Sequence, residues 1–251
     1  MNKNPQGLPT ETIDLASQGI IYPKESPLSS GTVEVMYPTA KSEDILTNIN
    51  YMQKGVAVDK FIESLIVSDI SLDDMIPGDK DTLMWALRIL GFGREYTTVA
   101  PKVSKTSPVK FDLTTMKFRE VDFSKFTPNQ NVVECKRKSG LVVKYKLLTM
   151  KDNKAIEAEV EGMRKVQKDY SADTSLFLKY SITQVGDKMD TTSIRTFVDN
   201  LLMIDSRELQ ADILANTPGL DWKGTGLILE TNEVKEGLDI PYTGDFFWPK
   251  Y

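Results

Sequence analysis

The sequence predicts an α+β protein, a mostly helical body with a small β unit formed by the middle segment and the C-terminal tail. Three observations carry this. Apolar residues recur at the spacing of one helix face in Val58, Phe61, Ile62, Leu65 and Ile66, and again in Ile194, Phe197, Val198, Leu201 and Leu202. Between Tyr96 and Leu148 the period shifts towards two. From Trp222 onward the chain is punctuated by glycine and reads as strand.

Residues 1–30 are mostly polar, and Pro5, Pro9, Pro23 and Pro27 stand too close together for a helix to propagate, so the segment reads as an extended N-terminal arm. Within it Ile20, Ile21 and Tyr22 form an apolar patch that lies either along a partner or along the protein's own body.

Residues 31–95 read as a helical region. After the strand-like Thr32–Tyr37, Thr39 stands before Ser42, Glu43 and Asp44 and then Ile45 and Leu46, which predicts a helix start with acids at the positive end of the dipole. A second helix spans about 58–67, and a polar, acidic loop follows to Pro77. Asp79 is expected to cap a third helix through Leu90, with Leu83, Met84, Leu87 and Leu90 inward and Trp85 and Ile89 widening the stripe. Gly91-Phe92-Gly93 follows a helix rather than preceding one and lacks a third glycine or a lysine, so it reads as a helix end and not as a phosphate loop.

Residues 96–150 form the β-rich region. Val109, Phe111 and Leu113 alternate with polar neighbours, as do Val133, Cys135, Val143, Tyr145 and Leu147, and Ser139-Gly140 supplies a hairpin turn beside the basic cluster Lys136-Arg137-Lys138. Residues 151–221 return to helix. Ile156, Val160, Met163 and Val166 make a narrow face, Leu176–Val185 is an apolar run ended by Gly186-Asp187, and Asp205-Ser206 is expected to cap a last helix that stops at Pro218-Gly219. Residues 222–251 are the tail, packing on the β-rich region and closing with Phe246, Phe247, Trp248, Pro249 and Tyr251. The predicted core includes Phe61, Leu65, Leu87, Phe197 and Leu201.

Composition removes much chemistry. The 251 residues hold 31 basic and 36 acidic side chains, a net charge of −5, which disfavours a broad electrostatic footprint for nucleic acid. Histidine is absent, so imidazole-dependent triads and histidine-ligated zinc are excluded. The single Cys135 can form neither an internal disulfide nor a thiolate cage. Asp73, Asp79 and Asp81 do not match a calcium loop, no Gly-x-Ser-x-Gly elbow occurs, and no apolar stretch approaches the ~20 residues needed to cross a bilayer. The expectation is a soluble, unprocessed protein that is not an enzyme and has no catalytic residues, metal or other cofactor.

Several stretches read in order carry a resemblance. They are Pro38–Leu46, Leu65-Ile66, Gly78-Asp79 leading into Trp85–Ile89, Gly93–Tyr96, Leu147–Thr149, Phe197–Asn200 with Asp205–Arg207, Asn216–Gly219, and Phe246–Pro249. In these the chain resembles the baseplate hub assembly chaperone and hub subunit family of T-even-type contractile-tailed phages. Many members of that family carry two Cys-x-x-Cys-type pairs that make a zinc ribbon; here the corresponding stretches read Ala100-Pro101-Lys102-Val103 and Glu230-Thr231-Asn232-Glu233, so the β unit is expected to be a degenerate, metal-free ribbon. The resemblance implies a protein of the phage tail baseplate that assembles the central hub. It would bind other hub proteins or the tape-measure protein in the host cytoplasm and then leave or be retained in the virion. Candidate partner contacts are Phe246, Phe247, Trp248, Pro249, Tyr251, Ile20, Ile21 and Tyr22. The rival expectation is a degenerate zinc-ribbon module that binds nucleic acid; the leading one involves neither nucleic acid nor membrane.

Overall fold

The structure, a computed structural model, describes residues 4, 7–103, 107–136, 140–169, 171 and 173–248. The N-terminal segment is not an extended arm. Strand β1 (Thr10–Asp14) pairs antiparallel with β2 (Thr32–Met36), placing Thr10 opposite Met36 and Asp14 opposite Thr32. The loop between them buries Leu15, Ala16, Ile21, Tyr22 and Leu28. Proline stops a helix but not a compact turn: Pro27 opens a short 3-10 turn capped by the Ser26 hydroxyl.

Helix α1 (Ala40–Leu46) starts as its sequence predicts, with Thr39 at the N-cap and its N–H donating to the Ser42 hydroxyl at 3.2 Å. Helices α2 (Ile49–Gln53) and α3 (Ala57–Leu65) follow, α3 burying Phe61, Ile62 and Leu65. Helix α4 (Pro77–Phe92) begins three residues earlier than expected, with Ile76 at the N-cap and proline as its first residue. Asp79 is therefore not its cap. It lies fully buried in the first turn, where it accepts from Ser17 N–H at 2.9 Å, the Ser17 hydroxyl at 2.6 Å and the Tyr22 hydroxyl at 2.6 Å. Gly91 stays inside the helix, and Gly93, at φ 80°, ends it.

Next come β3 (Glu95–Val99), β4 (Pro108–Asp112), β5 (Lys117–Phe118), β6 (Val133–Lys136) and β7 (Val142–Tyr145). The β6–β7 pair is the hairpin the alternation predicts; Ser139 of its turn, with Arg137 and Lys138 of the basic cluster, lies outside the described residues. Helix α5 (Met150–Arg164) opens on a capping box in which Thr149 and Asp152 satisfy each other's backbone donors, and it buries only Val160. Then α6 (Asp173–Ser181), β8 (Ile182–Val185), α7 (Thr191–Asp199) and α8 (Met203–Ala215) complete the helical part. Asp205 is the third residue of α8, not its cap, which is Leu202. Strand β9 (Leu220–Asp221) leads into the tail, which holds β10 (Lys223–Ile228) and β11 (Glu233–Asp239).

Helices and small antiparallel sheets are mixed, so the protein is α+β, but the β-rich middle does not form one unit. Its first half joins the tail in a four-stranded sheet of order β11-β10-β4-β3, while its second half forms a separate sheet β6-β7-β8; β5 pairs with β9. The division follows burial. Val109 and Phe111 on β4 face a core shared with Ile228, whereas Val143 and Tyr145 on β7 pack with Ile182. Phe61, Leu65 and Leu87 are buried as predicted, but Phe197 and Leu201 are only partly covered. Helix α7 turns Ile194 and Val198 inward and leaves that second apolar row at its rim.

Candidate functional site

The sequence points to two groups of contact residues, and the structure separates them by burial. Ile21 and Tyr22 are sealed in the core, and Ile20 packs partly against it. The Tyr22 hydroxyl is held between the Asp79 carboxylate and the Ile76 N–H, which donates to it at 3.1 Å. Burial strips water from the charged forms and so pushes both the tyrosine and the aspartate pKa upward. This triad ties the N-terminal loop to α4 and takes no part in a surface.

Phe246 and Phe247 are likewise closed off. Phe246 sits edge-to-face against Tyr96 at 5.2 Å, Tyr242 at 5.3 Å and Trp222 at 5.8 Å, and Phe247 against Phe61 at 5.5 Å. The guanidinium of Arg88 stands 5.8 Å from the Phe246 ring, and its Nη atoms donate to the Gly93 and Glu95 carbonyls at 3.0 and 3.1 Å. Trp248 is half-buried, and its indole N–H donates to the Leu46 carbonyl at 3.1 Å. The aromatic terminus is therefore a plug between α3, α4 and the four-stranded sheet. Pro249 and Tyr251 lie outside the described residues.

The surface suited to a partner lies elsewhere, at the joint of α7 and α8. Leu202, Met203 and Ile204 form a continuous apolar run that is 67%, 71% and 67% exposed. Met189 and Leu214 are exposed as well. Beside the run opens a cleft of about 660 Å³ whose apolar lining is Leu141, Val185, Phe197, Leu201 and Leu202, with Lys188, Asn200 and Asp205 on its polar side. Of the apolar residues that the periodicity predicts to be buried, Ile194 and Val198 are covered, Phe197 and Leu201 are half-buried, and Leu202 is exposed and runs on into Met203 and Ile204. A helix face with two apolar rows buries one against its own chain and offers the other. Single exposed apolar residues are ordinary, but three consecutive ones beside an apolar cleft form a patch of the kind that covers a partner.

Among the described residues no group of three or more Cys, Asp or Glu side chains is placed to hold a metal ion, and no helix is long and apolar enough to cross a membrane. Cys135 is partly buried on β6. Compared with known proteins, the chain matches no family model, no curated protein and no solved structure.

Proposed function

We propose that this chain is a non-enzymatic component of the baseplate hub of a contractile-tailed phage. It binds other hub proteins or the tape-measure protein and holds them in an arrangement competent for assembly. The observation that carries the reading is the exposed run Leu202–Ile204 beside its apolar cleft, a surface built to cover another protein rather than to enclose a small substrate. The resemblance of Pro38–Leu46, Trp85–Ile89, Asn216–Gly219 and the Phe246–Pro249 terminus to hub proteins names the partner class.

The same proposal reads the four-stranded sheet as a ribbon without its metal. Supporting this, the two stretches that would carry the thiolates both border strands of that sheet: residues 100–103 follow β3, and residues 230–233 run from the β10–β11 connection into the first residue of β11. The two connections meet, since Leu229 N–H donates to the Pro108 carbonyl at 3.2 Å and Glu230 N–H to the Ser107 hydroxyl at 3.2 Å. On this reading, one bond to a backbone carbonyl and one to a side-chain hydroxyl join the two connections, a link that a ribbon would make through metal.

Affinity purification from infected cells followed by mass spectrometry tests the function. Wild-type protein is expected to recover hub subunits or the tape-measure protein, and a Met203→Asp/Ile204→Asp variant to lose them while melting like wild type. Recovery of no tail protein by wild type, or equal recovery by the variant, refutes the proposal. Mass spectrometry of purified virions then distinguishes a retained subunit from a factor that leaves.

A further inference from the structure

On a different face, between α3, α4 and the segments around Trp222 and Tyr242, lies an open cleft of about 420 Å³. Its floor is apolar, made by Val58, Met84 and Ile240. Its polar lining includes Asp59, Lys80 and Asp81. Lys80 is committed to Asp59, with Nζ 2.5 Å from the carboxylate, so these two charges cancel and one negative charge remains, that of Asp81.

Asp81 differs from the other carboxylate in the first turns of α4. Asp79 is saturated by donors from Ser17 and Tyr22, whereas the Asp81 carboxylate makes no hydrogen bond or ion pair among the described residues. Lys80 and Arg119 act on it through space without pairing with it, and its partial burial pushes its carboxyl upward. The aromatic wall shows the same contrast. The indole N–H groups of Trp85 and Trp248 donate to the Leu113 and Leu46 carbonyls at 2.9 and 3.1 Å, but that of Trp222 has no acceptor among the described residues. The hydroxyl of Tyr242, a residue 50% exposed, is equally unengaged there. The Trp222 and Tyr242 rings stand 5.8 Å apart and are inclined at 59°, so they form a corner rather than a stack.

An apolar floor, an aromatic corner and an uncommitted carboxylate select a particular ligand chemistry. The negative ring faces attract a cation, the carboxylate pairs with it, and the floor takes an alkyl stem. An ammonium is a point charge, whereas a guanidinium presents several donors in a plane and can reach the carboxylate and the phenol together while lying against a ring. We propose that this cleft receives an arginine side chain projecting from a partner protein, its guanidinium on Asp81 and Tyr242 and its stem over Val58, Met84 and Ile240. The inference is independent of the hub assignment, because it requires only a partner with an exposed arginine.

The test uses the full chain and two small probes, Nα-acetyl-arginine N-methylamide and its neutral citrulline counterpart, followed through the indole N–H resonances in NMR. The Trp222 resonance is identified by its loss in Trp222→Phe. The arginine probe is expected to shift that resonance saturably at low salt, with the Trp85 and Trp248 resonances unmoved, and the citrulline probe is expected not to shift it. In Asp81→Asn the affinity is expected to fall by about ten-fold or more, the scale of a lost charge-assisted bidentate contact. The citrulline comparison needs no variant, so it decides the matter even if Asp81→Asn does not fold. An equal response to citrulline, the absence of a saturable shift, or unchanged affinity in a folded Asp81→Asn overturns the proposal.

Discussion

Replacing Phe246 by alanine tests whether the aromatic terminus holds the fold or merely decorates it. The ring is fully buried and lies edge-to-face with Tyr96, Tyr242, Phe247 and Trp222 at centroid distances of 5.2, 5.3, 5.3 and 5.8 Å. Truncating a buried phenylalanine costs about 3–5 kcal/mol through lost transfer free energy and the cavity left behind. Four oriented ring contacts, each worth roughly 0.5–1.5 kcal/mol beyond area but not additive, place this site near the upper end of that range. For a chain of this length about 4–5 kcal/mol corresponds to a fall in melting temperature of roughly 8–20 °C. Thermal unfolding followed by circular dichroism measures it directly. Phe118→Ala is the control, because Phe118 is 42% exposed and its loss is expected to cost less than about 1 kcal/mol. A Phe246→Ala protein that melts within about 2 °C of wild type, or no lower than the Phe118→Ala control, refutes the plug.

Gly78→Ala is expected to destabilise although alanine is the better helix former by about 1 kcal/mol, because a Cβ there would overlap the Pro218 carbonyl and come within 2.8 Å of the Gly219 Cα. A denaturation midpoint above that of wild type refutes this. Arg195 grips Glu159 with both Nη atoms at 2.9 Å, and the Tyr180 hydroxyl adds a bond at 2.9 Å, so the Arg195 hydrogen bonds first and the tyrosine with them hold the glutamate below its ordinary range against partial desolvation. A lowered native pKa stabilises above the unfolded value and that contribution is lost as pH falls through the carboxylate range; the roughly 1 kcal/mol expected between wild type and Glu159→Gln at neutral pH therefore shrinks on acidification. A gap that widens below pH ~4 contradicts this sign. Chelation is expected to leave the melting temperature unchanged, and elemental analysis to return no stoichiometric zinc.

How far the fold was legible depended on whether information was local. The α1 cap at Thr39 and the stripe of α3 are written within a few residues, and both stand where the sequence places them. Helix α4 has its apolar stripe in place, but an aspartate before an apolar run resembles a cap, so the sequence alone places the start at Asp79. Only the long-range bonds to Ser17 and Tyr22 show that it serves the N-terminal loop instead. The same loop reads as an arm because its apolar residues follow neither helical nor strand periodicity, and their burial is decided by β1 pairing with β2. At the candidate sites, the aromatic terminus was visible as composition, but its inward orientation was not. The exposed joint of α7 and α8 was legible only as an excess of apolar residues, since periodicity cannot say which of two rows finds cover within the chain. The cleft around Asp81 joins α3, α4 and the tail, and nothing in their separate sequences announces the meeting.

The four-stranded sheet also sets an order of events during synthesis. Strand β4 lies between β3, which immediately precedes it, and β10, whose Thr225 pairs with Asp112 more than a hundred residues upstream. At about 5–20 residues per second, the β3–β4 hairpin waits roughly 6–23 s on the ribosome with one side of β4 unsatisfied and Phe111 and Val109 lacking their later cover. Such a nascent hairpin is a template for pairing with a neighbouring chain, so yield on expression should depend on how quickly translation reaches β10 and on whether chaperones shield the hairpin until then.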